Sequence, residues 1–122
     1  MLVDSHCHID FDEYAGRIPQ ILEGMARNQV THALCVCVNL TDFPGVLSLA
    51  ERHPQLLASV GVHPDHAGDA GLTVNDLLQR ALHPKVVAIG ETGLDYYRQD
   101  GDLEWQRTRF RIHVRAAREC GK

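Results

Sequence analysis

Four short apolar segments, each followed by an amphipathic segment, constrain the fold of this 122-residue chain more than any other feature. The predicted strands begin near residues 2, 33, 56 and 86. The second one, residues 33–38, is apolar throughout, which is typical of a parallel strand that is buried on both faces. Regular alternation of such strands with helices predicts right-handed βαβ units and a parallel sheet.

The segments between the strands carry helix signals. Residues 18–27 form the first predicted helix, Thr41 is the predicted N-cap of the second, and Thr73 with Asp76 resembles a capping box for the third. The last helix is predicted from about residue 102 to residue 120. Its apolar stripe is predicted from residues spaced three or four apart, which are Leu103, Gln106, Phe110, Val114 and Ala117.

Residues suited to chemistry follow three of the predicted strands. His6 and His8 are two positions apart at the end of the first strand, so their rings share one face. His63 follows the third strand and Glu91 the fourth. Two imidazoles at this spacing can bind one metal ion, and the alternative is that they have no ligand role. Four βα units could form an open sheet. In barrel enzymes, however, the active site lies at the rim formed by the C-terminal ends of the strands, and a complete (β/α)8 barrel needs about 250 residues, so we predict four βα units of a TIM barrel.

Composition and charge exclude several classes of protein. The net charge of −4 gives no global basic field that would indicate nucleic-acid binding, so attraction of a polyanionic substrate would have to come from metal ions and a few local Arg or Lys residues. No apolar run approaches the roughly 20 residues that span a bilayer, and no secretory leader is evident, so we expect no membrane partner and a cytoplasmic location. Cys35 and Cys37 share a strand face, and we interpret the four cysteines as reduced thiols, with a Cys-x-Cys zinc site as the alternative.

Three motifs together resemble a known family. They are Asp4-Ser5-His6-Cys7-His8, Gly61-Val62-His63-Pro64 and Gly90-Glu91-Thr92-Gly93-Leu94-Asp95-Tyr96. The chain is similar over its whole length to the TatD-related metal-dependent deoxyribonucleases, a branch of the amidohydrolase-like barrel hydrolases. The resemblance implies that residues 1–122 form the N-terminal half of a hydrolase barrel. It also implies two divalent metal ions (Mg, Mn or Zn) and cleavage of phosphodiester bonds in DNA by metal-activated water.

The resemblance also assigns roles to individual residues. It implies that His6 and His8 are metal ligands and that Glu91 is a catalytic carboxylate that bridges two metals. It implies that His63 is a catalytic-site histidine that contacts substrate phosphate. The family takes further ligands, two histidines and an aspartate, from later strands that this chain lacks. His113, inside the last predicted helix, is not expected to replace them.

Several alternatives remain open from the sequence. An opening His-x-His is shared by related barrel enzymes that hydrolyse amides or esters, and a third reading is a non-catalytic fragment. We expect the 122-residue chain alone to be inactive. Its two unpaired strand edges predict a possible homodimer in which two half barrels pair. Asp95 either orients a metal ligand or caps the following turn, and Tyr96 and Tyr97 either stack on a base or cover the barrel core.

Overall fold

The computed structural model describes residues 1–66, 68 and 71–122, in which four strands alternate with four α-helices. The elements in chain order are β1 (Leu2–Cys7), a 3₁₀ turn (Asp12–Tyr14), α1 (Ile18–Arg27), β2 (Val30–Cys35), α2 (Phe43–Arg52), β3 (Leu56–Val60), α3 (Val74–Ala81), β4 (Val86–Ile89) and α4 (Glu104–Cys120). Among the described residues, no helix combines the length and the hydrophobicity needed to cross a bilayer.

The four strands form one parallel sheet in the order β1-β2-β3-β4. Spatial order therefore equals chain order, as it does around a (β/α)8 barrel, where each strand pairs with the next. The predicted α/β class and the predicted parallel pairing are confirmed. β1 and β4 are the two edges of the sheet, so each offers one unpaired side.

The strands end earlier than predicted. The second was predicted over residues 33–38 and runs from Val30 to Cys35, and the third and fourth end at Val60 and Ile89. Beyond these ends the backbone leaves the regular ladder but remains hydrogen-bonded across the rim: His63 N donates to Val38 O at 2.8 Å, and Glu91 N donates to Cys37 O at 3.0 Å. These bonds fix the segments that carry the candidate site residues.

The buried core lies between the sheet and helices α2, α3 and α4. Its most completely buried apolar side chains include Val46, Leu56, Val60, Leu77 and Val86. β1 is different, because Leu2 and Val3 are 61% and 63% exposed. The first strand is therefore held by its pairing with β2 far more than by side-chain packing.

Two predicted helix starts had different outcomes. The capping box is confirmed, because the Thr73 hydroxyl accepts from Asp76 N at 3.2 Å and Asp76 Oδ2 accepts from Thr73 N at 2.8 Å. The prediction of Thr41 as N-cap is wrong, because Asp42 occupies that position. Asn39 Oδ1 accepts the Asp42 N–H at 2.8 Å, which places the preceding turn and sets the helix start one residue later.

The buried face of α4 differs from the predicted apolar stripe. The helix begins at Glu104, two residues later than predicted, and Val114 is 41% exposed. The side chains that face inward are polar at three of four positions: Gln106, Arg109, His113 and Ala116. Each of the three polar side chains is hydrogen-bonded to backbone from the rim loops, which is what allows polar groups to be buried there.

His113 connects α4 to the end of the third strand. Its Nε2 accepts the Val62 N–H at 2.9 Å and its Nδ1 donates to Arg109 O at 2.8 Å, so the ring is held neutral with the proton on Nδ1. Burial lowers the pKa of the imidazole below its ordinary value of 6.5. The candidate metal ligands come from the strands, and the structure gives His113 this supporting role instead.

We expect the His113 imidazole to make stability depend on pH. Because its folded pKa is depressed, its contribution is fully present above pH 6.5 and is lost as the pH falls from there toward the folded pKa. The free energy of unfolding, measured by urea titration from pH 8 to pH 5, should fall across this window. His113→Gln should be less stable at pH 8 and should show a smaller fall. His32→Gln, at an exposed position on β2, is the control and should keep the wild-type slope. An unchanged slope in His113→Gln would contradict the assignment.

Candidate metal site

Four side chains from the C-terminal ends of the first, third and fourth strands, or from just beyond them, meet at one point on the rim. His6 Nε2 and His8 Nε2 are 3.1 Å apart, and Glu91 Oε2 lies 3.4 Å from the first and 3.7 Å from the second. His63 Nε2 lies 3.4 Å from the other carboxylate oxygen, Glu91 Oε1. The structure therefore brings together every residue that the sequence analysis proposed for the site.

Hydrogen bonds position His6, which lies in β1, and His8, which directly follows it. His8 Nδ1 lies 3.1 Å from Val36 O, so the Nδ1–H donates to this carbonyl and the Nε2 lone pair points toward Glu91. This pattern, in which the outer ring nitrogen is hydrogen-bonded and the inner one is free to bind, is the usual support of a metal-binding histidine. Within β1, His6 N donates to Asp4 Oδ1 at 3.0 Å.

The three ligand atoms have the spacing that one divalent ion requires. Bonds of 2.0–2.2 Å at tetrahedral angles place neighbouring ligand atoms about 3.4 Å apart. The separations between His6 Nε2, His8 Nε2 and Glu91 Oε2, which run from 3.1 to 3.7 Å, fall on either side of this value. Two imidazoles and a carboxylate also form a donor set that Zn, Mn and related ions accept. The residues present therefore fit a metal ion.

His63 is held by its own loop. Its Nδ1 is hydrogen-bonded to Asp65 Oδ1, so its Nε2 faces Glu91. A cavity of about 340 Å³ opens in front of this pair and is lined by His8, Phe11, Val38, His63, Asp65, His66 and Glu91. The Phe11 ring stacks on the imidazole of His8 with centroids 4.9 Å apart. The site thus combines polar groups with an aromatic wall.

α4 supports the loop that carries His63. The Arg109 guanidinium donates to His66 O at 2.6 Å and to Gly68 O at 2.8 Å, and it lies 5.0 Å from the centre of the Trp105 ring. Sequence reasoning missed this residue. The available signal was its spacing from Gln106 and His113, which are three and four positions away on the same helix face.

The hydrogen bonds of Asp95 decide between its two predicted roles, orienting a metal ligand or capping the following turn. Asp95 Oδ1 accepts from Tyr97 N at 2.9 Å, and Oδ2 is paired with Arg98 Nη1 at 2.5 Å. The Arg98 guanidinium also lowers the pKa of the Asp95 carboxyl. Asp95 therefore caps the turn and does not orient a candidate ligand. The Gln106 side chain also binds the backbone of Asp95: its Oε1 accepts from Asp95 N at 2.8 Å and its Nε2 donates to Asp95 O at 2.7 Å.

Besides Glu91, a second acidic residue lies near the candidate site, and sequence reasoning did not assign it there. Asp10 is two residues beyond His8, at the edge of a larger cavity of about 780 Å³ between the first two rim loops. Burial raises the pKa of its carboxyl, and its Oδ1 has no hydrogen-bond partner in the part of the chain that the structure describes.

Comparison with known proteins identifies a sequence family and several relatives. The family described as TatD related DNase matches residues 3–122. An uncharacterized metal-dependent hydrolase, YcfH of Escherichia coli K12, is 35% identical over 124 residues, covering 99% of this chain and 46% of its own length. TatD of Mycobacterium tuberculosis, also described as an uncharacterized metal-dependent hydrolase, is 34% identical over 129 residues, covering 99% of this chain and 49% of its own.

Solved structures agree with the sequence relatives. The crystal structure of YjjV, a TatD homologue from Escherichia coli K12, superposes with a TM-score of 0.85 at 29% identity, covering 98% of this chain and 48% of that one. A TatD family hydrolase from Entamoeba histolytica superposes with a TM-score of 0.82 at 26% identity, covering 97% and 46%. The chain thus spans about half the length of the relatives that it matches.

Proposed function

This chain belongs to the family of TatD related DNases, and from that premise we propose that it supplies part of the active site of a metal-dependent phosphodiesterase that cleaves DNA. The observation that carries the proposal is the triangle of His6 Nε2, His8 Nε2 and Glu91 Oε2, whose sides of 3.1 to 3.7 Å fit one divalent ion. The family match supplies the choice of phosphodiester substrate.

In this proposal His6 and His8 would hold one metal ion, and Glu91 would contribute to holding that ion and a second one. Its Oε2 faces the paired histidines, whereas its Oε1 faces His63 and the cavity, so the carboxylate presents one oxygen to each side. When bound, two divalent ions lower the pKa of a coordinated water and offset negative charge on phosphoryl oxygens. The family resemblance places further ligands on later strands, and Mg, Mn and Zn all suit this mixed donor set.

His63 is the proposed contact for a substrate phosphate. Its Nε2 borders the 340 Å³ cavity, and Asp65 on its Nδ1 keeps the second nitrogen directed inward. Tyr96 and Tyr97 lie on the next rim loop and are 52% and 95% exposed, so their rings are available for stacking on a base. Such stacking contributes about 1 to 3 kcal/mol per base.

The function is tested best in a chimera, because this chain covers only half of its relatives. Residues 1–122 would replace the matching half of Escherichia coli YcfH, and cleavage of a fluorescent single-stranded DNA would be followed while Mn²⁺, Mg²⁺ or Zn²⁺ is titrated. We expect metal-stimulated cleavage by the chimera and none by the 122-residue chain alone.

Other outcomes of this assay identify the alternatives. A folded, metal-binding chimera that hydrolyses amide or ester substrates but not DNA would favour the wider group of amidohydrolase-like barrels. A 122-residue chain that binds no divalent ion in calorimetry would indicate a non-catalytic fragment. YcfH itself, assayed with the same substrates, controls for the half of the chimera that this chain does not supply.

We also propose that the isolated chain forms a homodimer. β1 and β4 are parallel edges of a four-stranded sheet, so a two-fold axis along the barrel would pair β1 of each copy with β4 of the other and close eight strands. The closure would cover Leu2 and Val3 on the exposed first strand. Light scattering coupled to gel filtration should give twice the monomer mass of 13.6 kDa. A monomer at micromolar concentration would contradict the proposal.

A cytoplasmic location is proposed on the basis of thiol chemistry. All four cysteines are free thiols in the structure, and two of them, Cys7 and Cys35, are already within contact distance of each other. Reducing compartments keep such thiols unpaired. Fractionation of cells that produce the tagged protein tests this assignment, and recovery from a secreted fraction would contradict it.

A further inference from the structure

Cys7 and Cys35 form a thiol pair beside the candidate metal site. They are directly opposite residues of the parallel strands β1 and β2, and their sulfurs are 3.9 Å apart. Neighbouring strands lie about 4.8 Å apart, which is within the Cα separation that a disulfide spans. Closing the bond requires the sulfurs to approach by nearly 2 Å, to about 2.05 Å.

Access to the pair is asymmetric. Cys7 is only partly buried, on an edge strand whose other side chains are exposed, whereas Cys35 is completely buried. A small oxidant therefore meets Cys7 first, and Cys35 is the neighbour positioned to react with the product. Cys37 lies beyond the end of β2, and its thiol donates to Asn39 O at 3.0 Å, so it is engaged away from Cys7.

We propose that Cys7 and Cys35 form a peroxide-sensitive disulfide that controls the metal site. The Cys7 sulfur attacks one peroxide oxygen, which forms an S–O bond, breaks the O–O bond and releases water with the thiol proton. The Cys35 sulfur then attacks the Cys7 sulfur, which forms the S–S bond, breaks the S–O bond and releases a second water. The two thiols are oxidised by two electrons and the peroxide is reduced to two waters.

The disulfide would shift the backbone and the hydrogen bond that position His6 and His8. Cys7 lies between His6 and His8 in sequence, and Cys35 directly precedes Val36, whose carbonyl orients the His8 ring at 3.1 Å. Val36 N in turn donates to Cys7 O at 2.9 Å. Drawing the two sulfurs together therefore shifts the backbone on both sides of the His8 hydrogen bond. This consequence rests on the proposed metal role of His6 and His8, whereas the disulfide itself does not.

The test uses the 122-residue chain as it is. Reduced protein is treated with hydrogen peroxide, alkylated with iodoacetamide and analysed by intact and tryptic mass spectrometry. We expect two fewer alkylated cysteines and a linkage between the tryptic peptide that contains Cys7 and the peptide of residues 28–52, which contains Cys35 and Cys37 and which the Cys37→Ser and Cys35→Ser variants resolve. Calorimetry with Mn²⁺ should show affinity about 10- to 100-fold weaker after oxidation, the range reported for loss of support to a metal ligand, and dithiothreitol should restore it.

Two variants make the result specific. Cys37→Ser should still form the disulfide, and Cys35→Ser should not form it and should keep its Mn²⁺ affinity under peroxide. Linkage through Cys37 or Cys120, or four cysteines that remain fully alkylated, would overturn the proposal. A disulfide that leaves Mn²⁺ affinity unchanged would overturn its control of the site. Absence of Mn²⁺ binding even in the reduced protein would instead count against the proposed function and would leave the thiol pair standing.

Discussion

Replacing Glu91 by glutamine is expected to abolish metal-dependent cleavage by the chimera and to weaken divalent-metal binding by the 122-residue chain. Glutamine keeps the size of the side chain but removes the charge that faces His6 and His8 on one oxygen and His63 on the other. Loss of an outer partner of a ligand already costs about 10- to 100-fold in affinity, so loss of a direct ligand should cost about 100-fold or more. Calorimetry with Mn²⁺ measures the affinity directly.

The matched control is Glu51→Gln. Glu51 Oε1 also lies close to a histidine nitrogen, His83 Nε2 at 3.1 Å, but the pair lies away from the candidate site and Glu51 is more exposed. This variant should bind Mn²⁺ as the wild type does. If Glu91→Gln and Glu51→Gln bind the metal equally well, the carboxylate of Glu91 is not a ligand.

Gly61→Ala is expected to destabilise the fold and to displace Glu91. A Cβ on Gly61 would lie 2.6 Å from Glu91 O and 2.7 Å from Gly90 Cα, and closer still to Gly90 C. These neighbours are backbone atoms held in place by bonds from Gly90 N to Val60 O at 2.8 Å and from Ser59 Oγ to Gly90 O at 2.6 Å. Overpacking of this kind costs about 1 to 3 kcal/mol. Urea unfolding measures the loss, and Mn²⁺ affinity should fall with it.

Gly24→Ala provides the comparison for this substitution. Gly24 lies inside α1, and a Cβ there would meet nothing within 4 Å. Alanine at this position should raise the free energy of unfolding by about 0.5 to 1 kcal/mol. If Gly61→Ala also raised the free energy of unfolding, the backbone that follows β3 would not be in close contact with the backbone that follows β4.

Much of the site was predictable because it depends on local periodicity. His6 and His8 share a face since strand side chains alternate, and Glu91 joins them since the ends of parallel strands meet at one rim. The residues that hold this rim were less predictable. Asp65 acts through a bond within its own loop, which leaves no pattern in the sequence, and Arg109 shares a helical spacing with Gln106 and His113 that does not reveal its distant partners, His66 O and Gly68 O.

The alternation of strands and helices, the parallel sheet and the identity of the residues at its rim could all be inferred from the amino-acid sequence. These features follow from backbone periodicity and from which side chains avoid water. Three features emerge only from the folded chain: the distances of 3.1 to 3.7 Å among the candidate ligands, the polar inner face of α4 and the contact between Cys7 and Cys35. These depend on how separate elements approach one another, and a polar residue such as His113 becomes a core residue only when a distant backbone group supplies its hydrogen bond.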